Sequence, residues 1–275
     1  MKELTPEQIQ ENWDKLIQII KDTFEDGSER RENLLRMYHH FEERAMFAPA
    51  SGVVYYHNAW PGGYVDHILN ITKCAKKIYK MWKKMGAHTE EYTLESVIFC
   101  ALHHDLGKLG DLTENYYVPN ESEWHRINQG KMYNYNDKLH FMTVTDRAVY
   151  LLNHFGIDMT QIEYLALRLT DGMYEDANKG YLMGFGEGKN LKTNLPLILH
   201  QADMMATRLE KEQYMFSKDS DINYSEILHP ELKVERVKQE EESVENIKEA
   251  ITKNETPDIL SQKSKDLFDE LFGDK

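Results

Sequence analysis

A histidine and an aspartate that are adjacent in the chain, His104 and Asp105, could together bind a divalent metal ion. They stand at the end of an apolar run that starts at Val97 and predicts a helix. An imidazole nitrogen and a carboxylate oxygen are donors that suit first-row divalent ions. Neighbouring side chains on a helix point about 100° apart, so the two can reach one ion only near a helix end or from a cavity wall. Such a pair is common by chance, and it gains weight only with further ligands.

Two further candidate ligands lie on predicted helices to either side of this pair. His67 follows the sequence Pro-Gly-Gly-Tyr-Val-Asp, and Asp203 lies in an apolar run that starts at Leu197. Four donors on an ion that accepts six ligands leave two positions open, one for water and one for a phosphate oxygen. Because the motif contains no thiolates, we do not expect a closed structural zinc site.

The order of these residues, with two glycines before the first histidine and Leu-Gly-Lys after the His-Asp pair, resembles the HD-domain superfamily of metal-dependent phosphohydrolases. The resemblance covers roughly residues 45 to 215. It implies an all-α fold, an HD-domain helical bundle, in which His67, His104, Asp105 and Asp203 are the ligands of a divalent ion. The ions that it allows are Mn, Co, Ni, Fe, Zn and Mg, and the reaction that it implies is phosphoester hydrolysis.

Two residues of the motif are candidates for catalytic roles. Asp105 is the carboxylate best placed to contact both the metal and the attacking water. Lys108 lies one helical turn after His104, where its ammonium group would stabilise the phosphoryl oxygens as a point charge. We therefore expect both residues to take part in the chemistry, with Lys108 also binding substrate.

A second metal ion is an alternative that the family resemblance raises. In dinuclear relatives, two further histidines between the His-Asp pair and the final aspartate hold this ion. His140 precedes a predicted helix at the place of the first one, but Asp171 stands at the place of the second. This departure favours a single ion, and Asp171 would then bind an ion or act on water or a substrate hydroxyl.

Three residues outside the motif are candidates for contacts with substrate. Trp60 lies in a loop over residues 48–63 that is rich in Pro, Gly, Ser and aromatic residues, where it would stack on a base or pack beneath the loop. Asn178 and Lys179 precede a glycine-rich segment, where they would bind substrate or lie on the surface. We expect residues 108–139, which lack sustained periodicity, to form a long loop and a lid over the site.

Composition limits the partners and the compartment of this protein. Its 275 residues include 47 acidic and 33 basic ones, for a net charge of −14, which argues against a broad nucleic-acid surface. A small anionic substrate held by metal remains compatible with this charge. The two cysteines are expected to be buried free thiols, the N-terminus is too polar for a signal peptide, and no apolar run could span a membrane. We therefore expect a cytoplasmic protein.

The apolar pattern predicts three segments in the chain. Residues 1–44 form an N-terminal helical pair that packs on the core, residues 45–216 form the HD phosphohydrolase domain, and residues 217–275 form an acidic, partly helical tail. Apolar residues at three- and four-residue steps predict helices over residues 6–24, 30–44, 64–85, 93–107, 142–155, 160–170 and 197–216.

The tail carries 9 basic and 16 acidic residues, and Thr256-Pro257 predicts the start of an amphipathic helix within it. The apolar stripe of this helix would dock on the chain's own helical domain or on a second copy of the chain. Docking on a second copy would give a homo-oligomer. The alternative is a groove on another protein.

The predicted function is metal-dependent hydrolysis of a nucleotide phosphoester, with deoxynucleoside mono- or triphosphates as the preferred substrates. The aromatic loops suit a base, and the chain has no evident surface for a nucleic-acid strand. The family resemblance also allows a 3′-to-5′ exonuclease or a cyclic-nucleotide phosphodiesterase. The alternative from another class is a module that binds metal and nucleotide without turning the nucleotide over.

Overall fold

The computed structural model describes residues 4–184, 186–188 and 190–216, and this part of the chain is predominantly helical. Its α-helices are α1 (Pro6–Thr23), α2 (Glu29–His40), α3 (Glu42–Phe47), α4 (Gly63–Lys84), α5 (Leu94–His103), α6 (Glu123–Gln129), α7 (Val144–His154), α8 (Gln161–Arg168), α9 (Lys179–Leu182) and α10 (Leu195–Phe216). Short 3-10 helices span Leu106–Leu109, Gly172–Tyr174 and Asp176–Asn178. The predicted helical fold class is confirmed for the described residues.

The first helix begins where its sequence signals predicted. The Thr5 hydroxyl accepts a hydrogen bond from the Gln8 backbone N–H at 3.3 Å, and the Gln8 side chain accepts one from the Thr5 N–H at 2.9 Å. This reciprocal cap satisfies two N–H groups that would otherwise lack partners, and Pro6 needs none. The buried side chains of α1, which include Trp13 and Ile20, belong to the same hydrophobic core as the helices that follow.

One long helix predicted over residues 30–44 is two helices in the structure. The chain leaves helical geometry at Phe41, whose φ is −98° and ψ is 8°, and α3 begins at the next residue. Phe41 itself is buried in the core. Because the apolar spacing continues through this kink, periodicity alone could not reveal it.

Helix α4 lies at the centre of the fold. It packs against α5 and α10, and α1 and α3 also contact it. Its buried face carries Ile68, Ile71, Ala75 and Ile78 at three- and four-residue steps, and His67 is buried on the same helix. The core therefore fixes one candidate metal ligand directly.

The segment over residues 108–139, predicted as a loop, contains regular structure. Strands β1 (Tyr117–Pro119) and β2 (Tyr133–Tyr135) pair antiparallel, with Tyr117 opposite Tyr135, and α6 lies between them. Strands of three residues are too short to show an alternating pattern in the sequence. The Gly52 carbonyl accepts hydrogen bonds from the N–H groups of Met132 and Tyr133 at 2.9 and 3.1 Å. These bonds join the hairpin to the loop over residues 48–63.

Helix α5 ends earlier than predicted. The helix predicted over residues 93–107 would end at Gly107, where a glycine lets the chain leave the helix, but α5 ends at His103 and Gly107 lies inside a 3-10 helix. A Cβ atom at this position would lie 2.0 Å from the Val144 carbonyl oxygen. Glycine is therefore required here because the start of α7 approaches the backbone closely.

Two other expectations concern cysteines and membranes. Cys74 and Cys100 are buried free thiols, as predicted. Over the described residues, none of the helices combines the length and the apolar character needed to cross a lipid bilayer. The predicted tail and its amphipathic helix lie outside the described residues.

Candidate metal centre

Three helices bring the predicted ligands to one place. His67 lies near the start of α4, His104 follows the last residue of α5, and Asp203 lies in α10. A donor atom of each is within 4.8 Å of the other two. Asp105 Oδ2 lies 3.5 Å from His67 Nε2 and 3.4 Å from His104 Nε2. All four residues therefore face one point, and His67, His104 and Asp203 form a group that could hold a metal ion.

The two glycines before His67 are needed for the backbone that presents it. Gly62 has a φ of +82°, which favours glycine strongly over residues with a side chain. A Cβ atom on Gly63 would lie 2.0 Å from the Asn58 carbonyl oxygen. The chain thus enters α4 through a tight turn that places His67 inside the core.

The two histidines present unused nitrogens to the site. His67 Nε2 and His104 Nε2 are buried, and neither has a hydrogen bond of normal geometry within the described part of the chain. The other nitrogens are occupied, because His104 Nδ1 lies 3.0 Å from the Ala101 carbonyl oxygen and His67 Nδ1 lies 2.8 Å from Glu210 Oε2. Both of these partners only accept hydrogen bonds, so each Nδ1 carries the hydrogen. In the neutral ring, the Nε2 lone pair is then free for a metal.

The donor spacing fits one shared ion. Two donors that each lie about 2.1 Å from an ion are about 3.0 Å apart at a right angle and about 3.4 Å apart at a tetrahedral angle. The distances from His67 Nε2 to Asp105 Oδ2 and Asp203 Oδ1 are 3.5 and 3.7 Å. They are too long for good hydrogen bonds and close to the separation of two ligands on one metal.

Electrostatics also indicate a site for a cation. Burial alone would lower the pKa of His67, but Glu210 and Asp105 raise it to about 10. Burial likewise opposes the charged form of His104, and Asp105 and Asp203 raise its pKa. Asp105 is buried too, which would raise its pKa, yet Lys108 and His104 hold it well below its ordinary value. The carboxylates here attract positive charge strongly, and a metal ion can take the place of protons on the two imidazoles.

Glu210 is a candidate site residue that the sequence reasoning missed. It is 3% exposed, and its two oxygens accept hydrogen bonds from His67 Nδ1 and Asn70 Nδ2, each at 2.8 Å. A carboxylate behind a metal-binding histidine fixes the ring orientation and makes the ring a better ligand. One signal was present, because Glu210 lies two helical turns after Asp203 and so on the same face of the predicted helix.

Lys108 lies beside the candidate ligands. Its Nζ is 2.6 Å from Asp105 Oδ2. Burial alone would lower the pKa of Lys108, but the Asp105 carboxylate raises it, so the group is charged. Lys108 also lines a cavity of about 500 Å³ together with Asp203. We call this space the metal cavity.

Of the two residues considered for a second ion, only Asp171 reaches the metal cavity. Asp171 lines it, and its pKa is raised by burial and by the charges of Asp105 and Asp203. His140 is exposed and lines a separate depression, and its carbonyl oxygen accepts a hydrogen bond from Arg147. The structure therefore does not bring His140 and Asp171 together.

The metal cavity has an aromatic side that was only partly foreseen. Five tyrosines line it, and we call them the tyrosine wall: Tyr56, Tyr116, Tyr117, Tyr135 and Tyr174. Tyr116 and Tyr117 belong to the segment over residues 108–139, which was expected to form a lid. The rings of Tyr117 and Tyr135 stack, with centroids 5.8 Å apart and planes at 24°.

His57 also lines the metal cavity. Its ring lies 4.4 Å from the ring of His67, and neither of its nitrogens has a hydrogen-bond partner among the described residues. Burial lowers its pKa well below the ordinary value, and the charges of His67 and Lys108 lower it further. The Ser51 hydroxyl donates to the His57 carbonyl at 2.7 Å, and Asn58 has a φ of +39°. The loop therefore holds a neutral imidazole at the cavity.

Three residues predicted to contact substrate lie elsewhere. Trp60 is 5% exposed and stacks near Tyr214 at a centroid distance of 6.4 Å. Asn178 is fully buried and accepts a hydrogen bond from Arg168 at 2.8 Å, which supports the fold. Lys179 pairs with an acidic neighbour one turn earlier. None of the three lines the metal cavity.

Comparisons of this chain with protein-family models, with curated proteins and with solved structures found no match. The chemistry of the site is therefore the basis for inferring function.

Proposed function

We propose that this chain is a metal-dependent phosphohydrolase of the HD-domain type that hydrolyses a phosphoester of a nucleotide. One observation carries the proposal: His67, His104, Asp105 and Asp203 converge around two buried Nε2 atoms that lack hydrogen bonds within the described residues. The order of these residues in the sequence, which resembles that superfamily, supports the same conclusion.

The four ligands suit a divalent ion of the Mn, Co, Ni, Fe or Zn group, and Mg is also compatible. When bound, such an ion supplies positive charge to a phosphoryl group and activates water for attack on phosphorus. Glu210 keeps the Nε2 atom of His67 directed at the ion.

The remaining polar residues of the metal cavity have roles in binding and orientation. Lys108 stabilises negative charge on the phosphoryl oxygens, because its ammonium group is charged and lies at the cavity surface. His57 is neutral and has a free N–H that can donate to a phosphoryl or ester oxygen. Asp171 accepts a hydrogen bond from water or from a substrate hydroxyl.

The tyrosine wall supports a substrate that carries a ring. Aromatic side chains stack on nucleobases irrespective of base identity, because every base has a π face. A phosphate near Lys108 and a base against the tyrosine wall together describe a nucleotide, and deoxynucleoside mono- and triphosphates are the preferred candidates.

The test is a metal and substrate panel on purified protein. Metal is first removed, and Mn, Co, Ni or Mg is then added back. Deoxynucleoside mono- and triphosphates, a cyclic nucleotide and a short single-stranded oligonucleotide are offered, and release of phosphate, nucleoside or nucleotide is measured. We expect metal-dependent hydrolysis of at least one of the first two substrates. Binding of metal and nucleotide with no turnover of any compound would instead identify a module that binds nucleotides.

A further inference from the structure

Two cations on the surface of the metal cavity have side chains without a partner in the part of the chain that the structure describes. Arg208 and Lys211 both line it, and neither side chain has an ion pair or hydrogen bond with another residue in the described ranges. Lys108, the third cation there, forms an ion pair with Asp105 at 2.6 Å. In a chain with 47 acidic and 33 basic residues, two adjacent cations at a cavity that pair with none of the described acidic residues indicate an anionic ligand.

The position of these cations separates them from the metal ligands. Both lie on α10, about 7.5 Å (Arg208) and 12 Å (Lys211) along the helix axis from Asp203. They are three residues apart, so they are neighbours on the helix surface. Two like charges in this arrangement repel each other, and an anion between them would remove that repulsion. Their long side chains can reach toward the ligands or away from them along the cavity.

We propose that Arg208 and Lys211 form a second phosphate-binding subsite, and that the favoured substrate is a nucleoside polyphosphate rather than a monophosphate. This inference rests on the proposed function of the metal cavity. One phosphate lies at the metal ligands and Lys108, and a further phosphate of the same chain lies at Arg208 and Lys211. Guanidinium and ammonium groups are the side chains that bind phosphate oxygens most strongly.

The size and walls of the cavity favour a small molecule over a nucleic-acid strand. Its volume of about 500 Å³ lies within the range typical of small-molecule sites. The tyrosine wall borders the same space, so base, metal and cations are grouped around one compact ligand. The net charge of −14 also disfavours a long strand outside the cavity.

The first experiment measures binding without catalysis. Metal-loaded protein is titrated with inorganic phosphate, pyrophosphate and tripolyphosphate at one fixed concentration of free metal, since these anions also bind metal in solution. In the unaltered protein, tripolyphosphate should bind more tightly than phosphate. In the double variant Arg208→Gln/Lys211→Gln, the ratio of the two affinities should fall by about 10- to 100-fold, the scale for losing hydrogen bonds to charged groups.

A matched control separates the subsite from a general charge effect. The double variant Lys80→Gln/Lys83→Gln removes two exposed lysines of α4 and changes the net charge equally. It should keep the affinity ratio of the unaltered protein. An equal loss in both double variants, or no change in the Arg208→Gln/Lys211→Gln variant, would overturn the proposal.

The second experiment measures selectivity between substrates. The ratio of kcat/KM for a deoxynucleoside triphosphate to that for the monophosphate should exceed one, and the Arg208→Gln/Lys211→Gln variant should lower this ratio. A preference for the monophosphate, or for an oligonucleotide, would overturn the subsite as stated. If no nucleotide is hydrolysed but tripolyphosphate binding still depends on the two cations, the proposed activity fails while the subsite stands.

Discussion

His67 Nδ1 lies 2.8 Å from Glu210 Oε2, and this buried hydrogen bond joins the start of α4 to α10. The bond fixes the tautomer of His67 and leaves Nε2 facing Asp105 and Asp203. It also ties together the two helices that carry the first and the last of the predicted ligands. Metal affinity should therefore depend on a residue that does not itself touch the metal.

Replacing Glu210 tests this dependence. Glu210→Ala should weaken Mn²⁺ binding by about 10- to 100-fold, the range for loss of a carboxylate behind a histidine ligand. Glu210→Gln should weaken it less, because the amide oxygen can still accept from His67. Titration calorimetry with Mn²⁺ gives the affinities, and thermal melts show whether the variants fold. Glu212→Gln, on the same helix, is the control and should bind metal as the unaltered protein does.

The adjacent histidines of the motif provide a matched pair for the ligand assignment. His103 packs on Phe99 and Tyr38, with its Nδ1 bonded to the Phe99 carbonyl oxygen at 2.6 Å, whereas His104 faces the candidate ligands. His104→Phe should abolish metal binding and activity, and His103→Phe should retain both. Metal content of the purified variants decides the matter. Full occupancy in His104→Phe would reject the assignment.

Lys108 is expected to act in turnover rather than in metal binding. Lys108→Ala should lower kcat by roughly 10²-fold or more, as when one group that stabilises transition-state charge is removed, while the protein still binds metal. Lys108→Arg should restore part of the activity because it keeps the charge. Steady-state kinetics at saturating metal measure the effect, and an unchanged kcat would show that Lys108 serves only to pair with Asp105.

His57 can be tested by keeping its ring and removing its nitrogens. His57→Phe should still pack against His67 and leave metal bound, but it loses the hydrogen bond that we assign to a substrate oxygen. We expect kcat/KM to fall by about tenfold, since one hydrogen bond to a charged group contributes about 1.5 kcal/mol or more. If kcat/KM of the variant equals that of the unaltered protein, then His57 only packs against His67.

Gly107 offers a test of the fold around the motif. Gly107→Ala places a methyl group against the Val144 carbonyl oxygen, and overpacking of this kind costs about 1–3 kcal/mol. For a domain of this size the melting temperature should fall by about 3–10 °C. Gly180→Ala is the control, because a Cβ atom there has no neighbour within 4 Å. A melting temperature unchanged in Gly107→Ala would show that the backbone relaxes at this point.

The sequence was sufficient to select four candidate ligands that lie together in the structure. His67, His104, Asp105 and Asp203 could be selected because metal ligands form a restricted chemical set and because their order resembles a known motif. Glu210 and Arg208 could not be selected in this way, since their positions at the site depend on which helices become neighbours. Periodicity gave the buried faces of the helices, but it could not show the kink at Phe41, because the apolar spacing is the same on both sides.

Trp60 and Asn178 illustrate a related limit. Both residue types suit substrate binding, and both lie in segments expected near the site. Each is instead buried in the fold, Trp60 near Tyr214 and Asn178 against Arg168. Residue type and approximate position thus cannot separate a side chain that faces a cavity from one that faces the core.

The two backbone hydrogen bonds at Gly52 have a mechanical consequence. They attach the β-hairpin, which carries Tyr117 and Tyr135, to the same loop that leads into α4 and His67. We expect motion of the hairpin to reach the candidate ligand His67 along this loop, and motion of His67 to reach the hairpin. Because such coupling is reciprocal, a metal that immobilises His67 also restricts the hairpin. In the metal-free protein the hairpin should therefore be more mobile than in the metal-bound protein, with faster amide exchange in both strands.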